Sequence, residues 1–321
     1  MLDDSSFLRT IRDNPFDDGP RMVYADWLEE SGQTVKAEFI RLQCDLARMK
    51  PRQKGRGPLN RRVNQILKHH WRGLFGELAG LLRERMHGTL ERRAETYGRY
   101  RRVRGIDVEI KRGFIDSIEI SVDDFARHGA ALLRQAVVDH LCILGAYSHI
   151  GVQPNRSRVG RLLRDELPSI RPRSFELSNC GLSLSMYRQL LSGPGFSRTE
   201  RLWFTNSRIG DDELAALARS RQLGKLDELS LQSNSFGDNG LRSLSESPYL
   251  NSLSLLRIND NWHYDGYSLA GLIELAESKR LPKLSRIIVD GRITESQVDF
   301  FHRRYGSRIH LDREADSDIP F

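Results

Sequence analysis

The sequence predicts an α/β fold in which strand–turn–helix units stack one behind the next, with a small all-α segment in front. Three observations carry this expectation. The stretches "SRTERLWFTNSRIGDDELAALARS", from Ser197, and "GKLDELSLQSNSFGDNGLRSLSES", from Gly224, state nearly the same pattern 27 residues apart. In each, alternating apolar residues are followed by a turn signal, a Gly-Asp pair and leucines at helical spacing. The first 49 residues contain helical spacing only.

The repeat survives further steps. Leu202 aligns with Leu229, Phe204 with Leu231, Ser207 with Asn234, Leu214 with Leu241 and Leu217 with Leu244. One step back the same slots hold Phe175, Leu177, Cys180 and Leu182; one step on they hold Leu256, Ile258 and Asn261. Alternation of L-x-L makes a short strand with one buried face. The Asn or Cys after it marks a turn, where a side chain can satisfy backbone groups left unpaired by the bend. The pairs Gly210-Asp211 and Gly237-Asp238 open a helix, Asp being favourable there as a cap and against the helix dipole. Leucines three apart then line one helix face.

Weaker copies extend the array. Leu141-Cys142-Ile143 precedes Phe175 across the insertion "GVQPNRSRVGR", and Ile287-Ile288-Val289 follows across "NWHYDGYS". Ile118-Glu119-Ile120 and Ile309-His310-Leu311 are end strands, giving about eight in all. Arg112-Gly113, between two alternating runs, predicts a hairpin that caps the open end. This period and the L-x-L-x-x-N/C pattern resemble leucine-rich repeats of the ribonuclease-inhibitor-like class, over residues 114–311. The resemblance implies an α/β leucine-rich-repeat solenoid with parallel strands on the concave face and helices outside. Ser207 and Arg292 depart from the usual Asn or Cys, which predicts looser turns there.

In front of the array, Pro20 suits a first helical turn, Val23, Trp27 and Leu28 fall on one face, and Gly32 ends the helix. Val35, Phe39, Leu42, Leu46 and Met49 line a second helix, and Phe7, Leu8 and Ile11 a short earlier one. The string "NPFDDGPRMVYADWLEESG" followed by "AEFIRLQ" resembles the repeat-companion domain found at the N-terminus of many planctomycete proteins that also carry repeats. That resemblance implies a pairing of a helical domain with a repeat array and no catalytic activity. The expected organisation is therefore a helical domain over 1–49, a basic helical bridge and capping hairpin over 50–113, the array over 114–311 and a flexible tail over 312–321. Within the bridge, "KPRQKGRGP" reads as a linker, and the apolar spacing from Val63 to Leu82 as two helices broken near Gly73–Gly76.

Charge is unevenly spread. The chain carries a net +7, made of −5 over residues 1–47, +13 over 48–112 and −1 over 113–321. The basic excess is densest at Arg92, Arg93, Arg99, Arg101, Arg102 and Arg104, with Tyr97 and Tyr100 interleaved. Arginines could track a phosphate backbone while the tyrosines stack on bases. The competing account is a solvated helix balanced by the acidic N-terminal segment. Cys44, Cys142 and Cys180 form no pair at metal or redox spacing, which points to a reducing compartment. With no apolar leader and no membrane-length run, the expectation is a cytoplasmic protein without membrane contact.

Candidate chemistry is sparse, and no cofactor is expected. Asp26, Glu29 and Glu30 sit on a helix without a neighbouring His or Cys and read as a solvated face. His69 and His70 are adjacent, so their side chains diverge on a helix and do not share a metal. "NDNWHYDG" has calcium-loop spacing, but Leu272 stands where the bidentate Glu belongs. Alternation across each strand instead places Arg201, Trp203, Glu228, Gln232, Leu255, Arg257, Asn259 and Ile288 on the concave surface. The expectation is a non-enzymatic module that binds a protein partner there. The alternative is nucleic-acid or polyanion binding through residues 48–112, and a hydrolase or regulator built on the helical domain is a third.

Overall fold

The structure, a computed structural model of the whole chain, describes residues 4–86, 105–145, 155–261, 266–290 and 293–313. It is an α/β protein with one nine-stranded, mostly parallel sheet and twelve helices among the described residues.

Three helices come first: α1 (Asp4–Asp13), α2 (Gly19–Glu30) and α3 (Thr34–Arg48). Pro20 lies in the first turn of α2, and Gly32, at φ 80°, stops it. The buried stripe of α2 is Arg21, Tyr24, Ala25 and Leu28, whereas Val23 is 59% exposed. This corrects the expected stripe: spacing of three and four from Arg21 selects Tyr24 and turns Val23 outward. Val23 there lines a shallow apolar groove of about 390 Å³ with Ser6, Phe7, Thr10 and Pro20.

α3 is buried on two sides. Phe39 and Leu46 join the main core, while Ala37, Ile40 and Cys44 join a smaller core with Tyr24, Leu28 and Phe114. Two further helices, α4 (Arg56–Phe75) and α5 (Leu78–Met86), break at Gly76, φ 51°. Helix α4 begins inside the stretch read as linker, because Pro58 is tolerated in a first turn.

The hairpin forms as expected. Strands β1 (Ile106–Lys111) and β2 (Phe114–Ser121) pair antiparallel around Arg112 and Gly113, both at positive φ. Gly113 is needed twice over, since a Cβ there would also lie 2.6 Å from Ile40 Cγ1.

The remaining elements alternate: α6 (Val122–Gln135), β3 (His140–Leu144), α7 (Arg156–Ile170), β4 (Ser174–Ser178), α8 (Leu184–Ser192), β5 (Arg201–Thr205), α9 (Asp211–Ala218), β6 (Glu228–Ser230), α10 (Asp238–Ser245), β7 (Leu255–Arg257), α11 (Leu269–Glu277), β8 (Arg286–Val289), α12 (Glu295–Tyr305) and β9 (His310–Arg313). Each strand pairs only with its sequence neighbours, in the order β1 to β9. Register follows the aligned slots: Phe175 opposite Leu202, Leu202 opposite Leu229, Leu229 opposite Leu256, Leu256 opposite Ile287. At the last pair Ile287 faces Leu311, not Ile309. The end strand read at Ile309–Leu311 thus runs over His310–Arg313, with Leu311 on the buried face.

Side chains carry the units across to one another. The Asn234 carboxamide donates through Nδ2 to the carbonyls of Phe204 (2.5 Å), Leu231 (2.8 Å) and Gln232 (3.1 Å). Its Oδ1 accepts from the N–H groups of Ser207 (2.9 Å) and Ile209 (3.0 Å). Ser207 does not loosen its turn: it is fully buried, and its Oγ donates to Leu177 O at 2.7 Å and Thr205 O at 3.0 Å. The helix-opening aspartates also act across the boundary. Asp211 Oδ1 accepts from Gly237 N and Gly240 N at the start of α10, and Asp238 accepts from Ser268 N and Oγ at the start of α11. A Cβ on Gly240 would stand 2.7 Å from Asp211 Oδ1, so that approach requires glycine. At the other helix ends, Ser220 Oγ donates to Leu191 O and Ser247 Oγ to Ala218 O, filling carbonyls that a helix leaves unpaired.

Asn234→Ala removes five hydrogen bonds and orphans buried backbone groups, so it should cost about 2–4 kcal/mol. The exposed neighbour Asn239→Ala should stay within about 0.5 kcal/mol of the parent. Denaturant midpoints of the two variants check this.

Candidate functional site: the polar face of the sheet

The L-x-L residues enter the core that the helices cover, and the alternate residues form the opposite face. Its middle row, strand by strand from β2, is Glu119, Cys142, Glu176, Trp203, Ser230, Arg257, Ile288 and Asp312. The row toward the strand starts is Ser117, His140, Ser174, Arg201, Glu228, Leu255, Arg286 and His310.

Arg201, Trp203, Gln232 and Leu255 are half-buried on this face. Arg257 is committed to Glu228, Nε to Oε1 at 3.2 Å, and Gln232 donates to Asp260 Oδ2 at 2.9 Å. Two expected residues are not available for docking. Asn259 is buried and donates to Asp260 Oδ2, and Ile288 is only 5% exposed. Ile288 stands in register between Arg257 and Asp312, next to the ion pair of Arg286 with Asp312. An aliphatic–arginine patch running from Trp203 to Ile288 therefore does not form.

Trp203 keeps part of its ring in solvent, while its indole N–H is shielded and has no hydrogen-bond partner among the described residues. What the residue shows outward is ring, not donor. Among the described residues, the cations stacked over aromatic rings are Arg21, Lys36, Arg173 and Arg304, none of them on Trp203. In register beside it stands Glu176, whose Oε1 accepts from Ser178 Oγ at 2.6 Å.

A charged cluster that the sequence reading missed lies at the strand starts. Arg173 forks onto Asp139, with Nη2 to Oδ2 at 2.8 Å and Nε to the same oxygen at 2.9 Å, and its guanidinium sits 4.4 Å from the Phe16 ring centre. Lys111 Nζ reaches Asp116 Oδ2 at 3.1 Å, and His140 Nε2 lies 3.6 Å from Asp139 Oδ2. Burial raises the Asp116 carboxyl and lowers the His140 imidazole from its ordinary 6.5, the nearby carboxylates opposing the latter. Extending the 27-residue alignment one position outward from each strand would have found it, since Asp139, Arg173 and Glu200 share that slot. The cluster ties the N-terminal helices to the sheet. Cys180, in its turn slot, is buried with its thiol pushed up to about 12 by desolvation, which makes it inert.

Arg92, Arg93, Arg99, Arg101, Arg102 and Arg104 lie outside the described residues, as does most of the "NWHYDG" loop. Among the described residues there is no group of three or more His, Cys, Asp or Glu side chains that could hold a metal, and no helix long and apolar enough to cross a membrane. No protein-family model matches the chain, and no curated protein matches it significantly.

Because the folded state depresses the His140 pKa, its contribution to stability is present above 6.5 and is lost as pH falls through the lower folded value. His140→Gln should therefore lose less thermal stability than the parent between about pH 7 and about pH 5. Thermal midpoints at the two pH values check this.

Proposed function

We propose that the chain is a non-catalytic binding module, a leucine-rich-repeat solenoid whose concave sheet face receives a protein partner, held at its N-terminal end by a repeat-companion-like helical unit. The observation that supports the face as the site is Trp203: a large ring kept partly in solvent in the middle of the sheet, with Glu176 and Ser230 in register on either side. Rigid aromatics at such positions dominate interface energies. Arg201 and Leu255 flank it, one on the same strand and one across β6.

A second reading rests on α4. Arg61, Gln65, Lys68 and Arg72 fall at one-stripe spacing, all exposed, and none of the three cations pairs with a described carboxylate. The stripe leads in sequence toward Arg92 and Arg104. Such a run of unpaired cations suits a polyanion backbone.

Two measurements separate the readings. Partner captured from native cytoplasm by the full chain should be lost with Trp203→Ala, by about 2 kcal/mol or more, with the thermal midpoint nearly unchanged. Arg257→Ala should cost less, because that guanidinium already serves Glu228. Retention with Trp203→Ala and loss after nuclease would move the site to residues 48–112. Independently, single- and double-stranded DNA and RNA titrated at about 50 mM salt should bind with a steep salt dependence if α4 and the arginines after it are used, and a flat titration removes that reading.

A further inference from the structure

We propose that Trp203 and Glu176 together form a receptor for a cationic side chain, arginine or lysine, presented by the partner. This rests on the concave-face reading and names the chemistry the face selects.

Register places the two residues on adjacent strands at one level, and parallel neighbours stand about 4.8 Å apart, so both side chains rise from the same small area. Trp203 is only half-buried and its indole N–H is shielded, so the part in solvent is carbon ring, and a cation over the face of such a ring is attracted by its quadrupole. Glu176 is half-buried, its carboxylate steered by Ser178 Oγ, and it makes no ion pair with a described residue. A carboxylate held beside an open indole is a two-point site for one positive charge.

The cations of this face do not fill the site. Arg257 is held by Glu228 and Arg286 by Asp312. Arg201 is the exception, two residues from Trp203 on the same strand, but it lies level with Ser174 and Glu228 and is not stacked on the ring. The site itself therefore carries one carboxylate, Glu176 on β4, beside the ring on β5, while the arginines of β7 and β8 are already matched. An arginine- or lysine-bearing partner meets attraction at Glu176 and Trp203, whereas an acidic one meets repulsion there.

The test uses the ¹⁵N-labelled full chain. It has four tryptophans, and the indole resonance that disappears in Trp203→Phe belongs to Trp203. The probes are N-acetyl-arginine amide, N-acetyl-lysine amide, N-acetyl-leucine amide and N-acetyl-glutamate amide at low salt. The Trp203 resonance should move saturably with the arginine and lysine probes and stay with the other two. Glu176→Gln keeps the acceptor for Ser178, so it should fold, and it should raise the apparent Kd for arginine amide by roughly threefold or more. Arg201→Ala should leave that Kd unchanged or lower it. The proposal is overturned if the resonance does not move with arginine, if it moves equally with leucine or glutamate, or if Glu176→Gln binds arginine as the parent does. The underlying face reading fails by a different result, undiminished partner capture by Trp203→Ala. Capture lost in that variant together with a flat arginine titration would remove the cation and leave the face.

Discussion

The fold depends on one requirement: each bend that follows a strand leaves backbone groups that no ladder can pair, and they are buried. Asn234 meets that requirement with a single carboxamide, using its amide for three carbonyls and its oxygen for two N–H groups of the preceding unit. The free energy of orphaning such groups is far larger than the net gain of an average hydrogen bond. Position, more than strength, is what the carboxamide supplies. Once Asn234 binds the turn at Ser207, the 27-residue step is fixed, and with it the register of β5 on β6. The helices repeat the logic at both ends, with Asp211 at the start of the next helix and Ser220 at the end of the previous one.

The polar face follows from that register. A slip of one residue in β5 would turn Trp203 into the core and Phe204 into solvent. Glu176 and Trp203 are neighbours only because two strands separated by a whole helix are aligned to the residue. The geometry of the face is thus inherited from the buried turn residues, although none of them is visible on it.

Much of this was legible in the sequence because period-two alternation and a fixed step are strong signals. The strands from β2 to β8, the Arg112-Gly113 hairpin and the Asn234 turn follow from spacing alone. What spacing could not give was lateral chemistry. Alternation assigns Ile288 and Asn259 to the polar face but does not say that both are buried there, Asn259 bonded to Asp260. The pairing of Arg257 with Glu228 is likewise a contact between strands. Apolar spacing alone puts Val23 inside, but Arg21, stretched over Phe114, occupies the inward position and Val23 faces out.

The N-terminal helices are joined to the array differently from the way its units are joined to one another. Arg12 caps the end of α6 through the carbonyls of Leu133, Arg134 and Ala136, Arg198 returns to Arg12 O, and α3 lends one side to each of the two cores. These contacts reach across 121 to 186 residues and have no periodic counterpart. The turn, cap and serine bonds inside the array recur at nearly the step length, so a copied middle unit would bring partners for both of its seams. Growth by duplication is therefore open to this chain between β4 and β7 and closed at its N-terminal end, where an inserted unit would carry Leu133 and Arg198 out of reach of the one arginine that serves them.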